Sequence, residues 1–179
     1  MAKYRIISAP ATEPITVTEA KNWLKVDYAT DDALITNLIK AARERAESYC
    51  NTGFITQTVE ERLEEFPDGN IILSLSPVIS VTSVAYTDLA DASATVSADD
   101  YSLVAAAPIL IPDDAWPSGS EVIITYVIGR GASADDVPAA VKAAMQLMIT
   151  HWYENRADTV RKMPTQAEYL LNAVREWTT

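Results

Sequence analysis

The feature that most constrains the fold is a change of hydrophobic period near residue 55 and a second change near residue 137. Before the first, apolar residues recur at helical spacing. Leu34, Ile35, Leu38, Ile39, Ala42, Ala46 and Tyr49 fall on one stripe, which predicts a helix over 31–50. Thr18 as N-cap predicts a shorter one over 18–26, with Ala20, Trp23 and Leu24 on one face. Gly53, after Asn51-Thr52, reads as the left-handed stop of the longer helix.

Between the two changes the chain reads as strand. Residues 55–66 alternate Thr, Val and charge, which predicts an exposed strand. Pro67-Asp68-Gly69-Asn70 is a turn, because proline fixes φ and Gly or Asn accepts a positive one. Further strands are expected at 71–75, 78–86, 100–104, 109–111 and 121–128, with a loop at 88–94. After 137 the helical stripe returns in Val141, Ala144, Met145, Met148, Ile149 and Trp152. That helix is placed at 138–156, opened by Asp135-Asp136-Val137-Pro138. A last helix is expected at 166–177. Helices, then strands, then helices argue α+β rather than alternating α/β. The reading is one domain over 1–179: a helical core with an antiparallel β-rich insert at 55–130 between its second and third helices. Residues 158–179 form a C-terminal segment.

Charge follows the same division. The net charge is −11 over 179 residues, but residues 1–54 are neutral and 137–179 carry +1. Residues 55–136 hold two basic and fourteen acidic residues, net −12. Such a chain is a poor candidate for wrapping DNA or binding an anionic membrane. No apolar run approaches the ~20 residues of a membrane span, and the first residues lack the apolar core of a signal peptide.

The chemical motifs are weak. One cysteine, Cys50, excludes an internal disulfide and a cysteine-based zinc site, and reads as a buried hydrophobe. Gly129-Arg130-Gly131-Ala132-Ser133-Ala134 matches a loose dinucleotide pattern, but Asp135 and Asp136 sit where a pyrophosphate needs a positive helix end. A strand-to-helix turn is the simpler reading. His151, the one histidine, has no diagnosable nucleophile partner and reads as packed or interfacial. Asp88/Asp91 and Asp113/Asp114 lack EF-hand spacing. No catalytic residue, cofactor or metal site is expected. A second class, a helix-turn-helix regulator reading DNA with Lys40, Arg43 and Arg45, is opposed by the interleaved Glu44 and Glu47. His151-Trp152-Tyr153-Glu154-Asn155-Arg156 differs, since Trp, Tyr and Arg are enriched at interface hot spots.

Ten stretches together carry a resemblance: ITVTEAKNWLKVD at 15–27, DDALI at 31–35, AARERAESY at 41–49, TG at 52–53, ITQT at 55–58, FP at 66–67, SLSPVISVTSV at 74–84, DDY at 99–101, VPAAVKAA at 137–144 and HWYENR at 151–156. In that order and spacing the chain resembles the head–tail connector, or adaptor, proteins of tailed bacteriophages. The resemblance implies a non-enzymatic virion protein at the head–tail junction, made in the host cytoplasm. It implies a ring, usually of twelve copies, beneath the portal protein. The ring extends the DNA channel without binding DNA specifically and presents a platform to a neck or tail-completion protein. Another ring-forming neck or tail-completion protein is the nearest alternative.

A ring repeats one heterologous contact, so each copy needs two complementary patches. We expect these on Leu38, Arg43 and Arg45 of one helix and on Trp152, Tyr153 and Arg156 of the other. Glu60, Glu61, Glu64, Glu65, Asp113 and Asp114 are expected to face the channel or its rim, where carboxylates repel phosphates. Arg161, Lys162, Tyr169, Leu170 and Trp177 are expected to dock on the portal.

Overall fold

The computed structural model describes residues 3–155 and 163–175. The described residues divide into two compact units, one made of 11–55, 131–155 and 163–175, the other of 3–10 and 56–130. The first is helical and the second is built of strands, so the fold is α+β.

In the helical unit, α1 (Val17–Leu24) is short and starts one turn cap earlier than expected. The N-cap is Thr16 rather than Thr18. Its hydroxyl accepts from the Glu19 amide, while the Glu19 carboxylate accepts from the Thr16 backbone N–H at 2.7 Å. This is a reciprocal capping box. The hydrogen bonds from the Thr16 amide and hydroxyl hold the Glu19 carboxyl below the usual carboxylate range.

α2 (Asp32–Cys50) and α3 (Ala139–Glu154) pack together, as their stripes require, with α4 (Thr165–Asn172) against both. Ile35, Ile39, Ala42, Ala46, Val141, Ala144, Met145, Met148 and Ile149 make a dry core, joined by Ala167 and Leu171 of α4. α2 ends at Asn51, whose φ of 53° makes it, not Gly53, the left-handed cap. The acidic pair before α3 does not open that helix. It forms a separate 3-10 turn, Ala134–Asp136, with its own capping box between Ser133 and Asp136. A Cβ on Gly131 would run into the Asp136 side chain, so glycine is what lets that box form.

The strand unit holds two antiparallel sheets. The larger has the order β1-β2-β8-β4-β5: β1 (Lys3–Ser8), β2 (Gln57–Glu65), β8 (Gly119–Ile128), β4 (Val78–Asp88) and β5 (Ser93–Thr95). The smaller has the order β3-β7-β6: β3 (Ile71–Ile72), β7 (Ile109–Pro112) and β6 (Tyr101–Val104). Two expectations fail here: the loop over 88–94 is cut short by β5 at Ser93–Thr95, and the strand over 55–66 is not exposed. β2 is not an exposed strand; it lies between β1 and β8, and Val59 and Glu61 are fully buried. β1 was not expected at all, and it brings residues 3–8 onto β2. The core between the sheets comprises Val59, Leu73, Val84, Leu110, Val122, Ile124, Tyr126 and Ile128.

Candidate functional site

Several charged residues picked from the sequence turn out to be structural. Arg43 is 1% exposed and lies inside the helical unit. Its Nε donates to Glu13 Oε2 at 2.7 Å and its Nη1 to Glu47 Oε2 at 2.8 Å. Glu47 Oε1 also accepts from the Phe54 amide at 3.0 Å. Burial pulls the guanidinium pKa down, and the bonds and charges of Glu13 and Glu47 outweigh it, leaving it raised. Arg43 therefore presents no side chain to a neighbouring subunit. The helix-turn-helix face of Lys40, Arg43 and Arg45 loses its middle residue for the same reason.

Glu61 points into the strand core and is a structural acceptor, not a channel-facing charge. It takes hydrogen bonds from Tyr126 Oη at 2.7 Å, Ser74 Oγ at 2.7 Å and the Ser74 amide at 3.0 Å. Burial first and the Glu61 carboxylate second push the Tyr126 phenol far up, so Tyr126 stays a donor. Glu60, on the opposite face of β2, is nearly buried between Arg5 and Arg62. Arg5 first and Arg62 second hold its carboxyl low against the opposing pull of burial.

What remains exposed groups differently in each unit. In the strand unit Phe66 stacks on Trp116 with centroids 5.3 Å apart, and Tyr86 meets Phe66 edge-on at 5.4 Å. Trp116 Nε1 donates to the Gly69 carbonyl at 2.7 Å, which fixes the indole. Two recesses flank this indole. Glu65, Asp68 and Asp88 line one. Asp100, Asp113 and Asp114 line the other, together with Tyr86. The fold thus sets Glu65, Asp113 and Asp114 of the acidic residues singled out in the sequence beside Asp68, Asp88 and Asp100, which were not. Glu64 is exposed on β2 outside both recesses. The six carboxylates around one rigid aromatic cluster make a strongly negative surface.

In the helical unit the aromatic end of α3 is partly spent internally. Tyr153 Oη donates to Asp31 Oδ2 at 2.6 Å and meets Tyr28 Oη at 3.0 Å. The hydrogen bond to Asp31, then that to Tyr28, raises the Tyr153 phenol. Trp152 and Leu38 are half-buried against the helical core. Trp23 is 49% exposed and its Nε1 donates to Thr150 Oγ1 at 2.8 Å, while Tyr28 is 50% exposed. Trp23, Tyr28 and Tyr153 therefore form the aromatic surface, with Arg45 exposed on α2. Sequence reasoning missed Trp23 and Tyr28 because their spacing puts them on no helix in common with Tyr153.

α4 is seated on α2, not set apart. Tyr49 Oη donates to Asn172 Oδ1 at 2.7 Å, and the Arg175 guanidinium stands 4.9 Å over the Tyr49 ring. Leu170 packs on the core and Tyr169 is 78% exposed. Arg156, Arg161, Lys162 and Trp177 lie outside the described residues. His151 packs with Nε2 buried and, among the described residues, without a hydrogen-bond partner. Among the described residues no group of three His, Cys, Asp or Glu side chains is arranged to hold a metal ion. Nor, among them, is any helix long and apolar enough to cross a membrane.

Comparison with known proteins bears on this arrangement. A family model described as head completion protein matches residues 13–174. No curated protein sequence matches the chain. Among solved structures, a chain from the virion of a native gene transfer agent particle is 24% identical, with a TM-score of 0.83 over 98% of this chain and 96% of that one. A chain from the neck of the empty particle, computed with C6 symmetry, is 23% identical with a TM-score of 0.83, covering 99% and 97%. One from the native neck, computed with C12 symmetry, is 24% identical with a TM-score of 0.77, covering 99% and 97%. At these identities the likeness is one of fold.

Proposed function

The chain belongs to the head completion protein family, and from that premise we propose that it is a ring-forming connector at the head–tail junction of a phage-like particle. It docks on the portal protein, extends the DNA channel and offers a platform to the next neck or tail component. The observation that carries this reading is the family match, which runs through both units from residue 13 to 174. The similar chains come from necks computed with C6 and C12 symmetry. A closed ring of twelve copies, held by one heterologous contact repeated, agrees with both symmetries.

The surfaces then take roles. The aromatic face of Trp23, Tyr28 and Tyr153, with Arg45 and Arg156, supplies contacts between copies. The carboxylates around Trp116, with Glu64, line the channel or its rim. DNA carries one negative charge per roughly 1.7 Å of axis, so a negative wall lets it slide without sticking. Tyr169 on α4, with Arg161, Lys162 and Trp177, meets the portal.

Inactivating the gene tests the reading. We expect DNA-filled heads without tails, restored by the wild-type chain supplied in trans. Tailed, infectious particles at normal yield would contradict it.

A further inference from the structure

We propose that the outer edge of β1 pairs, strand to strand, with the open half of β4 in a second copy of this chain. The inference rests on the ring reading above and adds the contact that closes it.

β1 is the edge of the five-stranded sheet and bonds to β2 on one side only. Its residues from Tyr4 to Ser8 are all exposed, including Tyr4 at 41%, Ile6 at 42% and Ile7 at 47%. The register sets Tyr4 and Ile6 opposite Glu61 and Val59, so both lie on the face of the sheet that forms the core, but at its uncovered margin. An open edge carrying apolar side chains is a template for another strand, and proteins usually blunt it with charge, proline or a cover. Here there is no proline within the strand, which bulges once at Ile7, and Arg5, on the face opposite Tyr4 and Ile6, is held by Glu60 at 3.0 Å.

The opposite side of the same sheet is open as well. β5 pairs only with Ala85–Thr87 of β4, and the Val96 amide bonds the Val84 carbonyl. Among the described residues, 78–83 of β4 have β8 on one side and no strand on the other. Ile79 is 50% exposed, and Ser80 and Thr82 are exposed. This open stretch is as long as β1. One sheet thus ends in two different open edges, which is the requirement for a head-to-tail contact that repeats around a ring. β4 also bulges against β8 at Ile79 and Thr82. Bulges increase strand twist and turn the edge, so a sheet added there leaves at an angle, as successive copies in a ring must.

Charge favours the β4 edge over a second β1 as the partner of β1. β1 carries Lys3 and Arg5 and no acid, whereas residues 78–83 of β4 carry no charge. An uncharged edge accepts the basic strand without like-charge contacts, whereas a second β1 in parallel register would set like charges side by side.

Cross-linking in particles that carry the full chain tests this. The double variant Ile6→Cys/Thr82→Cys is oxidised, with Ile6→Cys alone as control and Ser80→Cys replacing Thr82→Cys for the adjacent register. The proposal expects a ladder of multimers from the double variants. The control should give dimers at most, since native Cys50 is buried. A lysine-reactive cross-linker on wild-type particles runs in parallel. Multimers with that reagent but none with the cysteine pairs would overturn the edge contact and leave the ring standing. Multimers with neither would overturn both. Efficient dimers from Ile6→Cys alone would assign the edge to β1–β1 pairing and also overturn the proposal. Hydrogen exchange on the wild-type chain needs no variant. Outward amides of β1 should slow by about tenfold or more between free and assembled protein. Equal rates in both states would contradict the pairing.

Discussion

Replacing Arg43 by Met separates two accounts of this residue. The sequence suggests a subunit contact; the structure makes it the tie between Glu13, ahead of α1, and Glu47, near the end of α2. Met keeps most of the volume and removes the charge. Glu13 is 26% exposed and rehydrates, but the Glu47 side chain is 8% exposed and stays buried without the charge that faced it. Removing one partner of a buried pair costs about 3–5 kcal/mol. Because only one of the two carboxylates is stranded, we place the loss near 3 kcal/mol, at the low end of that range. For a chain of this length that is a fall of roughly 6–12 °C in Tm. The double variant Arg43→Met/Glu47→Gln removes the stranded charge yet keeps an acceptor for Phe54. It should recover about 1–2 kcal/mol of the loss. Urea titration followed by circular dichroism at 222 nm reads the helical unit, and native mass spectrometry reads assembly. A loss below about 1 kcal/mol in the single variant would refute the reasoning, as would wild-type stability with weakened assembly.

Other expectations follow from the same geometry. Tyr126→Phe removes one of three donors to buried Glu61 and should cost about 1–3 kcal/mol in equilibrium unfolding of the strand unit; an unchanged midpoint would refute the role given to Glu61. Gly131→Ala drives a Cβ into Asp136 and breaks its capping box, which should cost about 0.5–2 kcal/mol; a Tm equal to wild type would contradict this. Glu19 is held low in the folded chain, so its contribution is complete above the unfolded value of about 4.3 and is lost as pH falls through the folded value. Glu19→Gln should therefore flatten the acid limb of stability against pH, and two superimposable pH curves would count against the capping box. Tyr28→Ala with Trp23→Ala should leave the monomer folded and weaken ring formation, while undiminished rings on native mass spectrometry would remove this face from the interface.

The parts of the fold legible in the sequence are those written in period. The stripe from Leu34 to Tyr49 gave α2 to within a residue, and Val141 to Trp152 gave α3. Alternation gave the long strands. Burial of charge was not legible, because period assigns a residue to a face and not to a partner. Glu61 looks like a neighbour of Glu60 on a solvated strand until the paired β8 places Tyr126 beside it and Ser74 reaches it from the segment after β3. Arg43 fell on an apparently exposed face until Glu13 arrived from thirty residues away. β1 was missed because Lys3–Ser8 is short and its partner lies more than fifty residues on. The capping box was readable: Thr16 and Glu19 stand in the required spacing, and Thr18 drew attention only by being nearer the apolar run. The acidic surface was legible in total but not in place, since Asp68, Asp88 and Asp100 join Glu65, Asp113 and Asp114 only through the folding of four strands and their turns.

The central claim is a closed ring on a portal. Its most direct test is the mass of a purified portal ring before and after addition of this chain. The account predicts a single discrete gain equal to twelve copies, in line with the C12 neck, with no partly loaded species at saturation. A portal mass unchanged at every ratio, or a broad ladder that never closes on one number, would contradict it.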